Sequence, residues 1–305
     1  MQLYLIRRVL WIIPVLFFIT LITFALMHSV PGGPWDREKR LAPAVVENLN
    51  RRYGLDKPVW LQYVDFLGNA VHGDLGVSFS YQDRKVTDVI LEGLPVTATL
   101  AFSALLVALI IGIPMGVIAA IKQNSWADYL CLFFATIGGA VPNFVMAMLL
   151  IIVFSVGLHW LPTSGWGTWQ KLLMPAFALG VYHAALLARI TRASMIEAIR
   201  QDYVRTARAK GMLESLILLR HILKNAMIPV VTILGPVAAG LIAGSFIIES
   251  IFAVPGVGKF FIQGIFARDY GLMMGTTLFY AAVIAFANLA VDILYGFIDP
   301  RIRYQ

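Results

Sequence analysis

Charge is scarce in this chain. Only 13% of its 305 residues are Asp, Glu, Lys or Arg, about half the roughly 25% of a soluble domain. The mean hydropathy of +0.79 and the grouping of apolar residues into long blocks exclude an ordinary water-facing surface and point to lipid. A single cysteine, Cys131, excludes an internal disulfide and a CxxC metal or redox site. The five histidines, His28, His72, His159, His183 and His221, include no pair at the i, i+4 spacing of a helical zinc site. No nucleotide-binding P-loop is present either. In Pro255-Gly-Val-Gly-Lys259, Ala253 stands where the first glycine belongs and Phe260 follows the lysine in place of Ser or Thr. The chain is therefore expected to hold no cofactor or metal and to hydrolyse no ATP itself. The net charge of +7 is read as basic loops on one side of a membrane, not as a nucleic-acid footprint.

A crossing helix needs about 20 mostly apolar residues. Six stretches qualify, at about residues 9–28, 96–121, 130–158, 172–189, 229–249 and 276–298, and the fold class is an all-α integral membrane protein. The first stretch exceeds the apolar core of a cleavable signal peptide and runs into Pro31-Gly32-Gly33-Pro34, so it is read as retained. The organisation expected is an N-terminal transmembrane helix (1–29), a partly helical extracytoplasmic segment (30–95), a five-helix core (96–298) containing a long polar loop (190–228), and a tail (299–305). With the N-terminus inside, the inner segments hold 13 of the 24 basic residues and five of the 17 acidic ones. This asymmetry places both termini in the cytoplasm.

Within the spans, Gly112 with Gly116 and Gly240 with Gly244 have the spacing that lets helix backbones approach closely, here within one subunit. Pro114, Pro142 and Pro236 are expected to kink helices. Asp292 is the one acid well inside a span. With no second intramembrane acid to form a relay, proton coupling is set aside. Glu249, near the outer end of the fifth span, is expected to bond the backbone of the turn that follows, Phe252 to Gly258, whose glycines at 256 and 258 serve backbone conformation.

The most informative stretch lies between spans four and five. Ile196, Ile199, Tyr203 and Ala207 recur at helical spacing, with Arg200, Arg205, Arg208 and Lys210 mostly on the remaining surface and Gly211 placed for a left-handed cap. A short apolar segment, 213–223, leads back to Pro229. The residues leave two readings open: a socket for an acidic protein surface, with small residues Ala207, Ala209 and Gly211 at its tip, and a basic amphipathic helix on anionic lipid.

Thr206-Ala-Arg-Ala-Lys-Gly211, followed by His221-x-x-Lys-Asn225-Ala and Pro229, resembles the conserved cytoplasmic loop of ABC importer permeases, in their dipeptide/oligopeptide/nickel branch. Arg7-Arg8 with Ile13-Pro14, Tyr53-Gly-Leu-Asp-Lys-Pro58, Gly73-Asp-Leu-Gly76, Glu249-Ser-Ile-Phe252, Pro255-Gly-Val-Gly258 and Asp299-Pro300-Arg301 extend the resemblance over nearly the whole chain. One departure is Thr206, where the loop's name-giving glutamate is expected. The resemblance implies a type I importer permease fold in a bacterial inner membrane. Tyr203, Arg205, Thr206, Ala207, Arg208, Ala209, Lys210, Gly211, His221, Asn225 and Pro229 would form the coupling loop. Glu249, Phe252, Pro255, Gly256 and Gly258 would form an extracytoplasmic turn. The implied partners are a homologous second permease, two ATPase subunits carrying ATP and Mg, a substrate-binding protein outside, and a peptide substrate. Nickel, glutathione or another small solute is the alternative cargo. A stand-alone secondary transporter or channel is the rival class, and neither the inverted repeats nor the several intramembrane charges that would favour it are seen.

Overall fold

A computed structural model describes residues 2–35, 42–81 and 84–298, with side chains described for residues 6–290 of these and for residue 293. Asp292 and the Asp299-Pro300-Arg301 ending fall outside the described side chains. Among the described residues the regular secondary structure is helical apart from one isolated bridge between Val77 and Lys85. In chain order the helices are α1 Gln2–Ser29, α2 Pro43–Tyr53, α3 Val59–Val71, α4 Val86–Ile121, α5 Trp126–Ala140, α6 Asn143–Leu150, α7 Trp169–Ile199, α8 Asp202–Ala209, α9 Glu214–Ile217, α10 Lys224–Ala243, α11 Phe246–Ile251, α12 Val257–Ala267 and α13 Tyr270–Ile298. Wide π turns continue α6 through Ile151–Gly157 and join α9 to α10 through Leu218–Leu223. Among the described residues five stretches are long and apolar enough to cross a membrane, and α5 with α6 makes a sixth if that bent pair is one span.

The span expected at 130–158 is broken. α5 and the Asn143–Gly157 helix meet at a bend of 105°. Pro142 has no N–H to give, and its ring drives the preceding residue out of the helical region: Val141 sits extended at φ −80°, ψ 121°. The other spans run longer than their apolar cores. At 36 residues, α4 is about 54 Å long and begins ten residues before the apolar run at Val96. The stretch after Val254, expected as a turn, contains the helix α12.

The helices fall into two units. One is drawn from Met1–Thr97 and Pro255–Leu289, the other from Ala98–Val254 and the end of α13. In the first, the segment expected to be partly helical over 30–95 holds α2, α3 and the start of α4. Tyr63 of α3 lies against α1, its hydroxyl 3.1 Å from Thr20 Oγ1 and 3.1 Å from the Phe17 carbonyl. Asp269, fully buried, caps α13 by accepting from the Leu272 N–H at 3.0 Å. It also accepts from Ser78 Oγ (2.5 Å) and the Ser80 N–H (2.8 Å).

In the second unit α4, α5, α6 and α10 all pack on α7. The glycine pair of α4 faces α7: a Cβ at Gly112 would meet the Ala184 carbonyl at 2.6 Å, and one at Gly116 would meet Thr191 Cβ at 2.5 Å and the Ala188 carbonyl at 2.6 Å. Gly180 of α7 answers at the Ala104 carbonyl, 2.5 Å away. The expectation of packing within one subunit holds for this pair. It does not hold for Gly240 and Gly244, which are exposed, and a Cβ on Gly240 would meet only the His183 ring at 3.7 Å.

Backbone cannot swing aside as a side-chain tip can. Gly116→Leu should therefore lower the thermal midpoint of the purified protein in detergent by roughly 5 °C or more. Gly68→Ala on α3, where a Cβ meets nothing within 4 Å, should leave it unchanged or slightly raised.

Candidate functional site: the helical hairpin between α7 and α10

The chain turns sharply at Arg200 and Gln201, so the single amphipathic helix expected over 196–207 is two helices. Gln201 is extended (φ −73°, ψ 150°), which ends α7 and starts α8. The break re-sorts the apolar face. Tyr203, expected inside, is 38% exposed, and Val204 takes its place at 0%. Val204 and Ala207 of α8 are buried among Met195 and Ala198 of α7, Ile217 of α9, Ile222 of the π turn and Ala226 of α10.

Gly211 performs the role its position implied. Its φ is +74°; its N–H bonds the Arg208 carbonyl at 2.9 Å, and the Met212 N–H bonds the Ala207 carbonyl at 3.3 Å. These two bonds, with Met212 packed on the cluster that holds Ala207, make a Schellman cap that satisfies carbonyls orphaned at the end of α8. Lys210 is the last residue before it. Arg208 reaches across the turn to Glu214, Nε to Oε1 at 2.7 Å, and these hydrogen bonds push the Arg208 guanidinium above its ordinary range. Both side chains are well exposed, so the pair orders the turn and adds little stability.

Tyr203, Arg205, Thr206 and Ala209 therefore form the outward face of α8, while Ala207 is covered by the chain's own helices and cannot meet a partner. His221 is half-buried in the π turn, its carbonyl bonded by Asn225 Nδ2 at 2.8 Å. Asn225 and Pro229 are exposed on α10. Leu213, 69% exposed, and Leu219, 60%, add an apolar component to the hairpin surface.

One feature of this end escaped the sequence reading, in which Asp128 and Arg192 are only two of the charges counted on the inner side. Asp128, in the first turn of α5 and 1% exposed, takes a two-pronged ion pair from Arg192 of α7, with both N–O distances 2.7 Å. It also accepts from the Asn124 N–H at 2.9 Å. This clamps the start of α5 to α7 just before the hairpin. An acid at the head of an otherwise apolar helix was the available signal.

The second group of expected residues divides between the two units. Glu249 is fully buried in α11, its carboxylate accepting from Ser245 Oγ at 2.7 Å and its carbonyl from the Val254 N–H at 2.8 Å. Phe252, 1% exposed, gives its carbonyl to the Gly165 N–H at 2.8 Å. In the other unit, Pro255 leads into Gly256, the residue before α12, whose φ of −95° any residue could adopt, as Gly258's place in the helix also allows. The glycines are therefore not needed for a left-handed turn. Close approach is the constraint there: the Val257 N–H bonds Thr97 Oγ1 at 3.0 Å, and a Cβ on Gly93 would lie 2.8 Å from that same nitrogen. The stretch that resembled a P-loop is thus a buried helix start.

Two family profiles match the chain. "Binding-protein-dependent transport system inner membrane component" covers residues 112–304, and its N-terminal companion covers residues 1–101. The chain belongs to this family of inner-membrane transport components. The oligopeptide transport system permease protein OppB of Salmonella typhimurium is 43% identical over 303 residues, 99% of each chain. The dipeptide transport system permease protein DppB of Bacillus subtilis is 41% identical over 300 residues, 98% of this chain and 97% of its own. Among solved structures, a MetNI methionine ABC transporter in an inward-facing conformation superposes with a TM-score of 0.59 at 18% identity, over 69% of this chain and 96% of its own. An amino acid ABC transporter gives a TM-score of 0.54 at 19% identity, over 71% and 95%. The fold is that of a type I ABC importer permease, and the protein is a multi-pass component of the inner membrane.

Removing one partner of the Asp128–Arg192 clamp strands the other. Arg192→Ala should cost about 3–5 kcal/mol of stability, read as a lowered thermal midpoint. Arg192→Lys should recover part of it, because an ammonium cannot span both oxygens. Asp128→Leu combined with Arg192→Met should recover most of it.

Proposed function

We propose that this chain is one membrane-spanning subunit of an ATP-driven importer that carries oligopeptides or dipeptides into the cytoplasm. The observation that carries the reading is end-to-end similarity to oligopeptide and dipeptide permeases, at 43% and 41% identity. The chain contributes the path and not the chemistry of ATP hydrolysis. A second homologous permease completes the path. Two ATPase subunits, binding ATP and Mg, lie against the hairpin, and a substrate-binding protein delivers peptide from outside. Both termini and the hairpin lie in the cytoplasm, in keeping with the positive-inside rule.

The geometry supports a specific form of coupling. α8 presents Tyr203, Arg205 and Thr206 outward and is anchored inward by Val204 and Ala207 on α7, α9 and α10. A push on α8 from an ATPase therefore moves α7 and α10 as packed bodies. Such rigid-body switching between two packings is what alternating access requires.

The test uses the whole importer in proteoliposomes. Tyr203→Ala with Arg205→Glu should reduce ATP-dependent peptide uptake by about tenfold or more, while the assembled permease pair still inserts and purifies. Unchanged uptake in that variant would argue against docking at α8. Gly211 separates backbone from surface effects. Since a Cβ there meets nothing within 4 Å, the penalty is conformational. Gly211→Asn, which tolerates a left-handed backbone, should transport nearly normally, whereas Gly211→Val should be uncoupled. A thiol placed at Leu213 should react only from the cytoplasmic face.

A further inference from the structure

The deepest polar side chains of α7 are not used by the coupling machinery. His183 lies 14 residues into the helix after Trp169, about 21 Å along the axis, and about 9 Å before Arg189. A bilayer's hydrocarbon is about 30 Å thick, so the ring is well inside it. Its Nδ1 is buried and has no hydrogen-bond partner. Tyr182 stands edge-on to it, ring centroids 5.3 Å apart at 88°, and is 44% exposed. Across from the imidazole is α10, where Gly240 is open: the His183 Cε1 lies 3.7 Å from where its Cβ would be. Pro236 and Gly244, one turn to either side, are exposed as well.

The Nδ1 is enclosed by the chain, so a solute meets the rest of the ring and the exposed Tyr182 beside it. An ionisable ring at this depth is costly against acyl chains, and such groups face the interior of a transport assembly. The lane on α10 beside it, with Gly240 and Gly244 exposed, carries little side-chain bulk and leaves room for a solute. A phenol and an imidazole together offer both donors and acceptors. A peptide backbone presents both in alternation, whatever its side chains, so this pair suits cargo of varied sequence.

We propose that Tyr182 and His183 form a hydrogen-bonding station on the wall of the translocation path, contacting the backbone amides of the peptide in transit, with the open face of α10 at Gly240 as the surface the peptide slides along. This rests on the peptide-import reading above and adds the place of contact.

The experiment uses the complete importer in proteoliposomes, with Cys131→Ser as background. Tyr182→Cys, His183→Cys and Gly240→Cys are probed separately with a hydrophilic methanethiosulfonate. All three are expected to label in the cycling transporter, and peptide-loaded binding protein should slow labelling about tenfold. Failure to label at positions 182 and 240, or labelling indifferent to peptide, overturns the proposal. A second readout covers the case in which one cysteine variant does not assemble. His183→Phe should lower uptake about tenfold while ATP hydrolysis still responds to the loaded binding protein, and His183→Gln should keep most of the uptake. Equal loss in both variants, accompanied by poor recovery of the paired permeases, would make His183 a contact with the second permease and overturn the proposal. A background importer with no ATP-dependent peptide uptake at all would instead overturn the function proposed above. Uptake with positions 182, 183 and 240 silent would overturn only the station.

Discussion

Inside a bilayer there is no water to escape from, so burying one apolar helix against another yields little. Contact between backbones has to supply what the hydrophobic effect supplies elsewhere. In the Ala98–Val254 unit that contact is made along α7. Gly112 and Gly116 bring α4 within carbonyl distance of it, and Gly180 of α7 returns the approach against α4. Gly138 of α5 sits beside Val181 and Ala185, while Leu187 joins α7 to Val230 of α10. Because three or more helices share one post at close range, none can shift without a concerted repacking. That makes the unit able to switch and unable to drift.

The hairpin extends this logic past the membrane, where water returns and apolar burial counts again. Val204 is fully buried, and burying one valine is worth about 1.5–2 kcal/mol. With Ala207, Met212 and Ile217 around it, α8 is fastened to the ends of α7 and α10 by a small water-excluding core. The Asp128–Arg192 clamp fixes the base of that core. Its energetic role is one of position: a buried ion pair adds little net stability, but loss of either member leaves an uncompensated charge, so the start of α5 is held to one register on α7. The outward face of α8 is left polar and free of internal duties, apart from the local hydrogen bonds of Asp202, Arg205 and Thr206. A surface that does no work for its own fold can be shaped by a partner.

Much of this was legible in the residues. The apolar blocks located the crossing segments because lipid demands length and composition together. Gly211 was readable because only a left-handed cap wants glycine after a run of helix formers. What escaped was three-dimensional. Pro142 announced a kink, but not a bend large enough to split a span. Helical spacing joined Ile199 to Tyr203 because a period cannot reveal that Gln201 is extended, and the buried residue became Val204. The glycines at 256 and 258 suggested a turn that needs their backbone conformation, and the packing constraint fell on Gly93, far away in the chain. Asp128 and Arg192 lie 64 residues apart, and no local rule pairs them.

A general limit follows from the solvent. In a water-soluble protein, polarity separates inside from outside. Here an apolar side chain on α10 or α13 is equally at home against lipid, against a second permease or beside another helix, so hydropathy carries no information about which face does what. Only groups that lipid rejects break the degeneracy. That is why the readable marks on this chain are its few misfits: the proline that splits α5 from α6, the acid that heads an apolar helix, and the histidine ring placed over a bare glycine. Each costs free energy where it stands, and each is tolerated only if something specific meets it. Asp128 has its arginine within the chain. His183 has no such partner for its Nδ1 among the described residues, and in the proposed station it is the open face of α10 beside the ring that the cargo meets.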